Sequence, residues 1–171
     1  MNTSQDNHLT RIAAPRGVAP GTGYHHVVWG TGRFVAVSGQ CAFDEKGELV
    51  GEGDAAAQAR QVFENLRRCL AAAGATFDDV VKLTYFVTDV ADLPAVREAR
   101  DEVIDPDRLP ASSAVQVAAL FRPELLMEIE AFAVVPERPG SGPGYEAESE
   151  TGFRTGSGAG LGTGFKTGFA S

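Results

Sequence analysis

Hydrophobic residues in the first third of the chain occur in short runs that are typical of β-strands. Residues 27–29 and 34–37 are rich in β-branched and aromatic side chains, and the link at residues 30–33 contains two glycines. Two such runs joined by a short glycine-containing link predict a β-hairpin. After a polar turn at residues 44–47, a further short strand is predicted at residues 48–50.

A long amphipathic helix is predicted next. Asp54 is a suitable N-cap, and Gly74 is a suitable residue to end the helix. Between them, apolar residues recur at helical spacing, namely Val62, Leu66, Cys69, Leu70 and Ala73. A second helix is predicted to begin at Asp92, with Pro94 in its first turn and Pro106 beyond its end.

The remaining segments alternate in polarity as strands do. Strands are predicted at residues 81–87, 114–118 and 126–135. In the last strand, one face carries only apolar residues and the other mixes acidic and apolar ones. The apolar face has Met127, Ile129, Ala131 and Ala133, and the mixed face has Glu128, Glu130, Phe132 and Val134.

Together these elements predict an α+β fold, a two-layer sandwich in which two helices cover one face of a mixed sheet. The uncovered face would still carry Phe86, Phe132 and Val134. An apolar face of that size rarely stays exposed in a soluble monomer. The pattern therefore predicts self-association through the sheet, without fixing its symmetry.

The two ends of the chain differ in composition from the part between them. Residues 137–171 are rich in Gly, Ser and Thr and repeat Thr-Gly-Phe three times, which predicts a flexible low-complexity tail. An alternative is that the tail phenylalanines dock on a partner or on a groove of the same protein. Residues 1–18 are also predicted to be flexible. The folded domain is therefore predicted to span residues 19–136.

Charge and cysteine content restrict the partners and the compartment. The net charge of −8 disfavours binding to nucleic-acid phosphates, and no apolar run is long enough to cross a membrane. The N-terminus lacks the apolar core of a signal peptide, so we expect a cytoplasmic protein with Cys41 and Cys69 reduced. The adjacent His25 and His26 would face opposite sides of a strand, and we expect neither a metal nor a cofactor.

Several separate motifs, in one order, resemble the RidA/YjgF family. They cover about residues 20–135 and lie at residues 37–40, 58–66, 73–75, 79–89, 109–111 and 128–131. The resemblance implies a chorismate-mutase-like fold that assembles as a homotrimer around an inner barrel, with small-molecule clefts between subunits. It also implies hydrolysis of reactive imines and enamines derived from amino acids, with release of ammonia.

The resemblance carries functional roles onto individual residues. Glu128 matches the glutamate that handles the water and the proton, and Gly39 matches the glycine of the Ser-Gly-Gln motif. Tyr24 is similar to a tyrosine that lines the cleft, although its spacing to Ser38 is one residue longer than in the family pattern.

Three positions depart from the family pattern. Ser112 stands where the family has the arginine that binds the substrate carboxylate, Ala114 replaces a cysteine, and Arg97 replaces an asparagine. A serine offers one neutral donor where a guanidinium offers two charge-assisted hydrogen bonds. Such a loss costs about 2–5 kcal/mol, or roughly 30-fold to several-thousand-fold in affinity. Either the deaminase activity is absent, or the substrate lacks that carboxylate, or another cation replaces the arginine.

Arg97 and Arg100 on the second predicted helix are the candidates for that replacement. The alternative interpretation is that both are solvated surface residues that pair with Glu98, Asp101 or Glu102.

The leading hypothesis from the sequence is a hydrolase that acts on a small imine or enamine with altered substrate choice. Glu128 would activate water, Gly39 and Ser112 would orient the ligand, and Arg97 and Ala114 would belong to the binding site. The alternative for Glu128 is a structural pairing across a subunit interface, and the alternative function is a non-catalytic trimer that binds a small metabolite. A ribonuclease is a third hypothesis, which the negative charge disfavours.

Overall fold

The structure, a computed structural model, describes residues 8–137. Within this range the chain forms six strands and two α-helices. They are β1 Leu9–Ile12, β2 Val27–Gly30, β3 Arg33–Gln40, α1 Ala55–Ala72, β4 Val80–Val87, α2 Leu93–Asp101, β5 Ala111–Gln116 and β6 Met127–Val135. The Thr-Gly-Phe repeats of the predicted tail lie outside the described residues, as do residues 1–7.

The larger of two sheets has four strands in the order β3-β6-β4-β5. Strand β6 runs antiparallel to β3 and β4, whereas β4 and β5 are parallel. Parallel neighbours need a long crossover, and α2 lies in this one. The mixed sheet that the sequence predicted is therefore confirmed.

The hydrophobic core lies between this sheet and the helices. From β6 it receives Met127, Ile129, Ala131 and Ala133, all 0% exposed. From α1 it receives Val62, Phe63, Leu66 and Leu70. The predicted inward face of β6 and apolar stripe of α1 are both confirmed, and with them the two-layer α+β sandwich.

Local signals at the helix starts also match the prediction. The Asp54 carboxylate accepts hydrogen bonds from the backbone N–H groups of Ala56 and Ala57, both at 3.0 Å, and so caps α1. Helix α2 begins directly after Asp92, with Pro94 in its first turn, where a missing N–H costs nothing.

The predicted hairpin between residues 27–29 and 34–37 is wrong. Strand β2 instead pairs antiparallel with β1, in a register that places Leu9 opposite Gly30. The prediction missed β1, which lies inside the segment expected to be flexible and is anchored by Leu9, only 2% exposed. The link between β2 and β3 leads from one sheet to the other. Within this link, Gly32 has a φ of 148° and lies against the backbone of Val135.

The strand expected at residues 48–50 is also absent. This segment makes one isolated bridge, between Leu49 and Phe43, and a backbone hydrogen bond from Val50 to Ala42. The turn before it is closed by the Asp44 carboxylate, which accepts from two backbone N–H groups.

The sheet face away from the helices is rich in aromatic side chains. Phe34 is 64% exposed, and its ring lies 5.7 Å from that of Phe132 on the neighbouring strand. Phe86 and Val134 are half-buried on this face, and Val115 extends the apolar surface onto β5. We call this surface the open face.

A buried glutamine joins α1 to the segment that leads into β6. Gln58 is 0% exposed. Its amide donates to the carbonyls of Gly51 (3.1 Å) and Glu124 (2.9 Å), and it accepts from the N–H of Leu126 at 2.9 Å. Because β6 begins one residue after Leu126, this glutamine helps to fix the start of the strand that carries Glu128.

We therefore expect Gln58→Met to lower the free energy of unfolding by about 2–4 kcal/mol, since it leaves three backbone groups unpaired at similar side-chain volume. Gln116→Met is the matched control, because Gln116 is exposed and accepts one hydrogen bond, from Val90. Urea unfolding at equal protomer concentration measures both. Equal losses in the two variants would contradict the prediction.

Candidate functional site

A small cavity lies between α2, the edge strand β5 and the segment at residues 22–24. Its volume is about 100 Å³, which is small beside the roughly 300–1,000 Å³ of pockets for drug-sized ligands. Four of the six site residues predicted from the sequence line it, namely Tyr24, Arg97, Ser112 and Ala114. The remaining lining residues include Tyr85, Leu93, Val96 and Arg100.

The register of β5 directs Ser112 and Ala114 into this cavity. Strand β5 pairs in parallel with β4, so that Ser112 lies beside Leu83 and Ala114 beside Tyr85. Leu83 and Tyr85 belong to the core on the helix side of the sheet. Partners in register share a face, so Ser112 and Ala114 face the helices as well.

Ser113, one residue along, belongs to the other face. Its hydroxyl accepts a hydrogen bond from Lys82 Nζ at 2.6 Å. Burial lowers the pKa of Lys82, and the nearby Glu130 carboxylate acts in the opposite direction. The proximity of Lys82 and Glu130 agrees with a structural role for Glu130.

Contacts on both sides hold the segment that carries Tyr24. His25 donates from Nδ1 to the carbonyl of Leu109 at 2.6 Å, and its backbone forms a parallel bridge with Ala111. Gly21 lies so close to the Tyr24 ring that a Cβ there would come within 2.7 Å of ring atoms. The tyrosine is thereby fixed beside the beginning of β5.

Arg100 is the buried cation of this cavity. The residue is 6% exposed. Its Nε and Nη2 donate to Asp101 Oδ1 at 2.9 and 2.7 Å, and its Nη1 donates to the carbonyl of Gly23 at 2.7 Å. The interpretation of Arg100 as a solvated surface residue is wrong, although the pairing with Asp101 is confirmed. Arg97 lines the same cavity but is exposed.

Tyr85 is a second cavity residue that the sequence prediction missed. It is 5% exposed, and its hydroxyl has no hydrogen-bond partner of good geometry among the described residues. Burial raises the pKa of the phenol to about 12, against the opposing charge of the Arg100 guanidinium and a side-chain hydrogen bond with it. Its place in an alternating strand predicted burial, but only the tertiary structure places the hydroxyl next to the cavity.

Glu128 and Gly39 form a separate group. A Cβ at position 39 would lie 2.6 Å from the Glu128 Cδ, so any other residue there would force this carboxylate to move. On the other side, the Cys41 thiol approaches Glu128 Oε2 at 3.8 Å. Burial, reinforced by the Glu128 carboxylate, raises the pKa of Cys41 to about 12.

A wide hollow lies next to this group. It has a volume of about 430 Å³ and is lined by Gly39, Gln40, Cys41, Asn65, Cys69 and Phe121, among others. Both cysteines are free thiols. Cys69 was predicted in the core and is found partly buried at its edge.

The sheet separates the two groups of predicted site residues. Glu128 lies opposite Phe86 in the β4–β6 register, out of phase with the buried Ile129, and therefore on the open face. Ser112 and Ala114 face the helices from β5. In one chain, the carboxylate and the cavity thus lie on opposite sides of the sheet.

Among residues 8–137, no group of three or more His, Cys, Asp or Glu side chains is placed to hold a metal ion. None of the helices in this range is long and apolar enough to span a membrane.

Known proteins resemble this chain over most of the described residues. The model of the family described as Endoribonuclease L-PSP matches residues 14–135. The 3-aminoacrylate deaminase RutC of Acinetobacter baylyi is 36% identical over 124 residues, which are 72% of this chain and 97% of that protein. The 2-iminobutanoate/2-iminopropanoate deaminase of Salmonella typhimurium is 40% identical over 105 residues, covering 60% of this chain and 80% of that one.

Solved structures agree with these relatives. A protein of the Rid family, YyfB from Yersinia pestis, has a TM-score of 0.65 at 36% identity and covers 75% of this chain and 99% of that chain. RidA from Psychrobacter sp. has a TM-score of 0.56 at 39% identity, with coverage of 75% and 98%. Fold and motifs together define an α+β protein of the Rid class. The chain belongs to the RidA/YjgF family.

The Glu128–Cys41 contact makes thiol reactivity a probe of the site. Since the nucleophile is the thiolate, we expect Cys41 to be alkylated more slowly than Cys69. The Cys41 rate should also continue to increase as the pH is raised beyond 9.0, the ordinary thiol pKa. Glu128→Gln removes a charge that opposes thiolate formation, so it should increase the Cys41 rate. Mass spectrometry after iodoacetamide treatment measures both rates. Glu130→Gln is the control, and an equal rate increase in both variants would exclude a specific contact.

Proposed function

We propose that this chain is a RidA-type hydrolase that releases ammonia from a small imine or enamine, in a cleft completed by a second copy of the chain. One observation carries the proposal. The predicted site residues form two separate groups, one around Glu128 on the open face and one around the Ser112 cavity on the helix side. They can act on one molecule only if different subunits supply them.

The relatives support the chemistry. Two of them are named as deaminases, one for 3-aminoacrylate and one for 2-iminobutanoate and 2-iminopropanoate. These are an enamine acid and two imino acids, and a carboxyl group that moves protons near a water molecule would accelerate their hydrolysis.

In the proposed reaction, Glu128 takes a proton from a water molecule, whose oxygen attacks the carbon of the C=N bond. The proton passes to the nitrogen and gives a carbinolamine. The hydroxyl proton of the carbinolamine then moves to the nitrogen as the C–N bond breaks, which releases ammonia and leaves a carbonyl. An enamine enters this path after protonation at carbon gives the imine. Tyr24 lines the cleft, while Ser112 and the Gly39 backbone orient the ligand.

The open face supports assembly. Phe34, Phe86 and Phe132 leave an aromatic surface of a kind that soluble monomers rarely expose. The homotrimer that the family resemblance implies would bury this surface and bring the two groups of residues together.

A non-catalytic trimer that binds a small metabolite is the alternative. A ribonuclease, the activity in the description of the matching family, is disfavoured because a net charge of −8 opposes the approach of a phosphate backbone.

Ammonia release tests the chemistry. An amino-acid oxidase generates a panel of 2-imino acids beside the protein, and we expect ammonia to appear faster than by spontaneous hydrolysis. Glu128→Gln should reduce the rate to the spontaneous level, because an amide cannot take the proton. Glu130→Gln, the same change two residues along the same strand face, should retain activity. Background rates with the wild-type protein across the panel would contradict the hydrolase and favour the binding role.

Light scattering after gel filtration tests the assembly. We expect a mass three times that of the 18.0 kDa chain. Phe34→Asp should shift the protein to the monomer, because it places a charge in the apolar interface. Phe121→Asp is the control, since Phe121 is 71% exposed on the β5–β6 connection, outside the open face. A monomeric wild-type protein would contradict the proposed cleft.

A further inference from the structure

We propose that Arg97 of one subunit pairs with the acidic turn of the next subunit, formed by Asp44 and Glu45, and that this contact orients the subunits around the cleft. The inference rests on the proposed function in that it specifies which two surfaces of the chain meet there. It assigns Arg97 to assembly and not to the ligand.

Arg97 is a cation whose charge is not balanced within its own chain. It lines the cavity between α2 and β5 and is exposed. Among residues 8–137, it forms no ion pair with a carboxylate, so the pairing with Glu98, Asp101 or Glu102 that the sequence suggested is not formed by Arg97. Its charge is therefore available to a group from another subunit.

The acidic turn lies at the hollow beside β3. Asp44 and Glu45 line this hollow together with one cation, Arg68. Arg68 is already paired with Glu64 on its own helix, at 2.8 Å. Glu45 is exposed and, among the described residues, takes part in no ion pair. The turn therefore presents carboxylates that a cation from outside can approach.

Within one chain, Arg97 and the acidic turn lie at opposite edges of the sheet. Strands β3 and β5 are the two edge strands of the order β3-β6-β4-β5, so three strand spacings, about 14 Å, separate them. Arg97 lies beside β5, whereas the acidic turn follows β3. The two can therefore pair only between different copies of the chain.

The proposed cleft brings these two surfaces together. The Glu128 carboxylate packs against Gly39 and approaches the Cys41 thiol, and both of these residues also line the hollow. A second subunit whose Ser112 cavity faces Glu128 therefore carries its exposed Arg97 toward the hollow, where the carboxylates of the acidic turn lie.

Such a contact joins two different surfaces of the chain, the β5 side of one subunit and the β3 side of the next. Contacts of this kind close into a ring when the rotation between subunits allows it, as a homotrimer requires. Each chain has a net charge of −8, so association works against a general repulsion. A positive group opposite an acidic surface fixes the orientation in which association is favourable.

Charge reversal tests the contact. Arg97→Glu and Glu45→Arg each place like charges opposite each other at every subunit contact. We expect either variant to raise the concentration at which half of the trimer dissociates by about 10-fold or more, as measured by light scattering after gel filtration over a dilution series. The double variant restores opposite charges with their positions exchanged, so its dissociation should return toward that of the wild type.

Two matched variants control for net charge. Arg67→Glu and Glu48→Arg make the same changes at residues that line neither the cavity nor the hollow. Arg67 lies on the exposed side of α1, and Glu48 is exposed. Both variants should dissociate as the wild type does. A damaged fold would make the Arg97→Glu/Glu45→Arg double variant worse than either single variant, which is the opposite of the expected recovery.

Chemical cross-linking supplies a second measurement. Arg97→Lys keeps the positive charge and introduces an amine that a carbodiimide joins to a carboxylate in contact with it. Unlabelled and isotopically heavy protein are refolded together in equal amounts before cross-linking. Mass spectrometry should then find position 97 linked to the acidic turn in peptides that combine both labels. Links from position 97 to other carboxylates alone would contradict the contact.

The outcomes separate this inference from the proposed reaction. A trimer whose dissociation is unaffected by Arg97→Glu, is affected equally by Arg67→Glu, or does not recover in the double variant would overturn the contact and leave the hydrolase untouched. Recovery in a protein that releases no ammonia would support the contact and refute the hydrolase. A monomeric wild-type protein would overturn both the contact and the shared cleft.

Discussion

The alternation of side chains along β6 is the constraint on which the candidate site depends. Successive residues of a strand face opposite sides of the sheet. Met127 and Ile129 enter the core, so Glu128 between them must lie on the open face. A slip of one residue would bury the carboxylate and expose the core residues. The separation of Glu128 from the Ser112 cavity is thus fixed by the same pairing that forms the core.

This constraint connects assembly to chemistry. The surface that carries Glu128 also carries Phe34 and Phe132, the residues that favour self-association. One contact between subunits would therefore bury the aromatic surface and complete the cleft. Arg100 and Tyr85 line the cavity on the helix side.

Much of the fold could be predicted because its signals are local. The Asp54 cap, the apolar stripe of α1 and the alternation of β6 each lie within one segment, and all three are found in the structure. The hairpin prediction failed because strand pairing is decided over long distances. The short link after β2 suggested β3 as its partner, whereas Leu9 anchors a strand that competes for β2.

The site was predicted less completely than the fold. Tyr24, Arg97, Ser112 and Ala114 were predicted from the order of family motifs, and the structure places all four at one cavity. Arg100 has the sequence pattern of a surface arginine. Its burial could not be predicted, because it depends on the Gly23 carbonyl 77 positions away. The division of the six residues into two groups also could not be predicted, because it requires the register of β5 against β4.

The central claim, that two subunits share one site, is tested most directly by complementation. Ser112→Phe fills the cavity and Glu128→Gln removes the carboxylate, so each variant alone should be inactive. The two are refolded together, and ammonia release from a 2-imino acid is compared with that of each variant refolded alone. If the two groups come from different subunits, random mixing of equal amounts leaves both parts intact in about a quarter of all sites, and activity returns. If activity stays at background in mixed assemblies while the wild-type protein treated in the same way is active, the shared site is refuted.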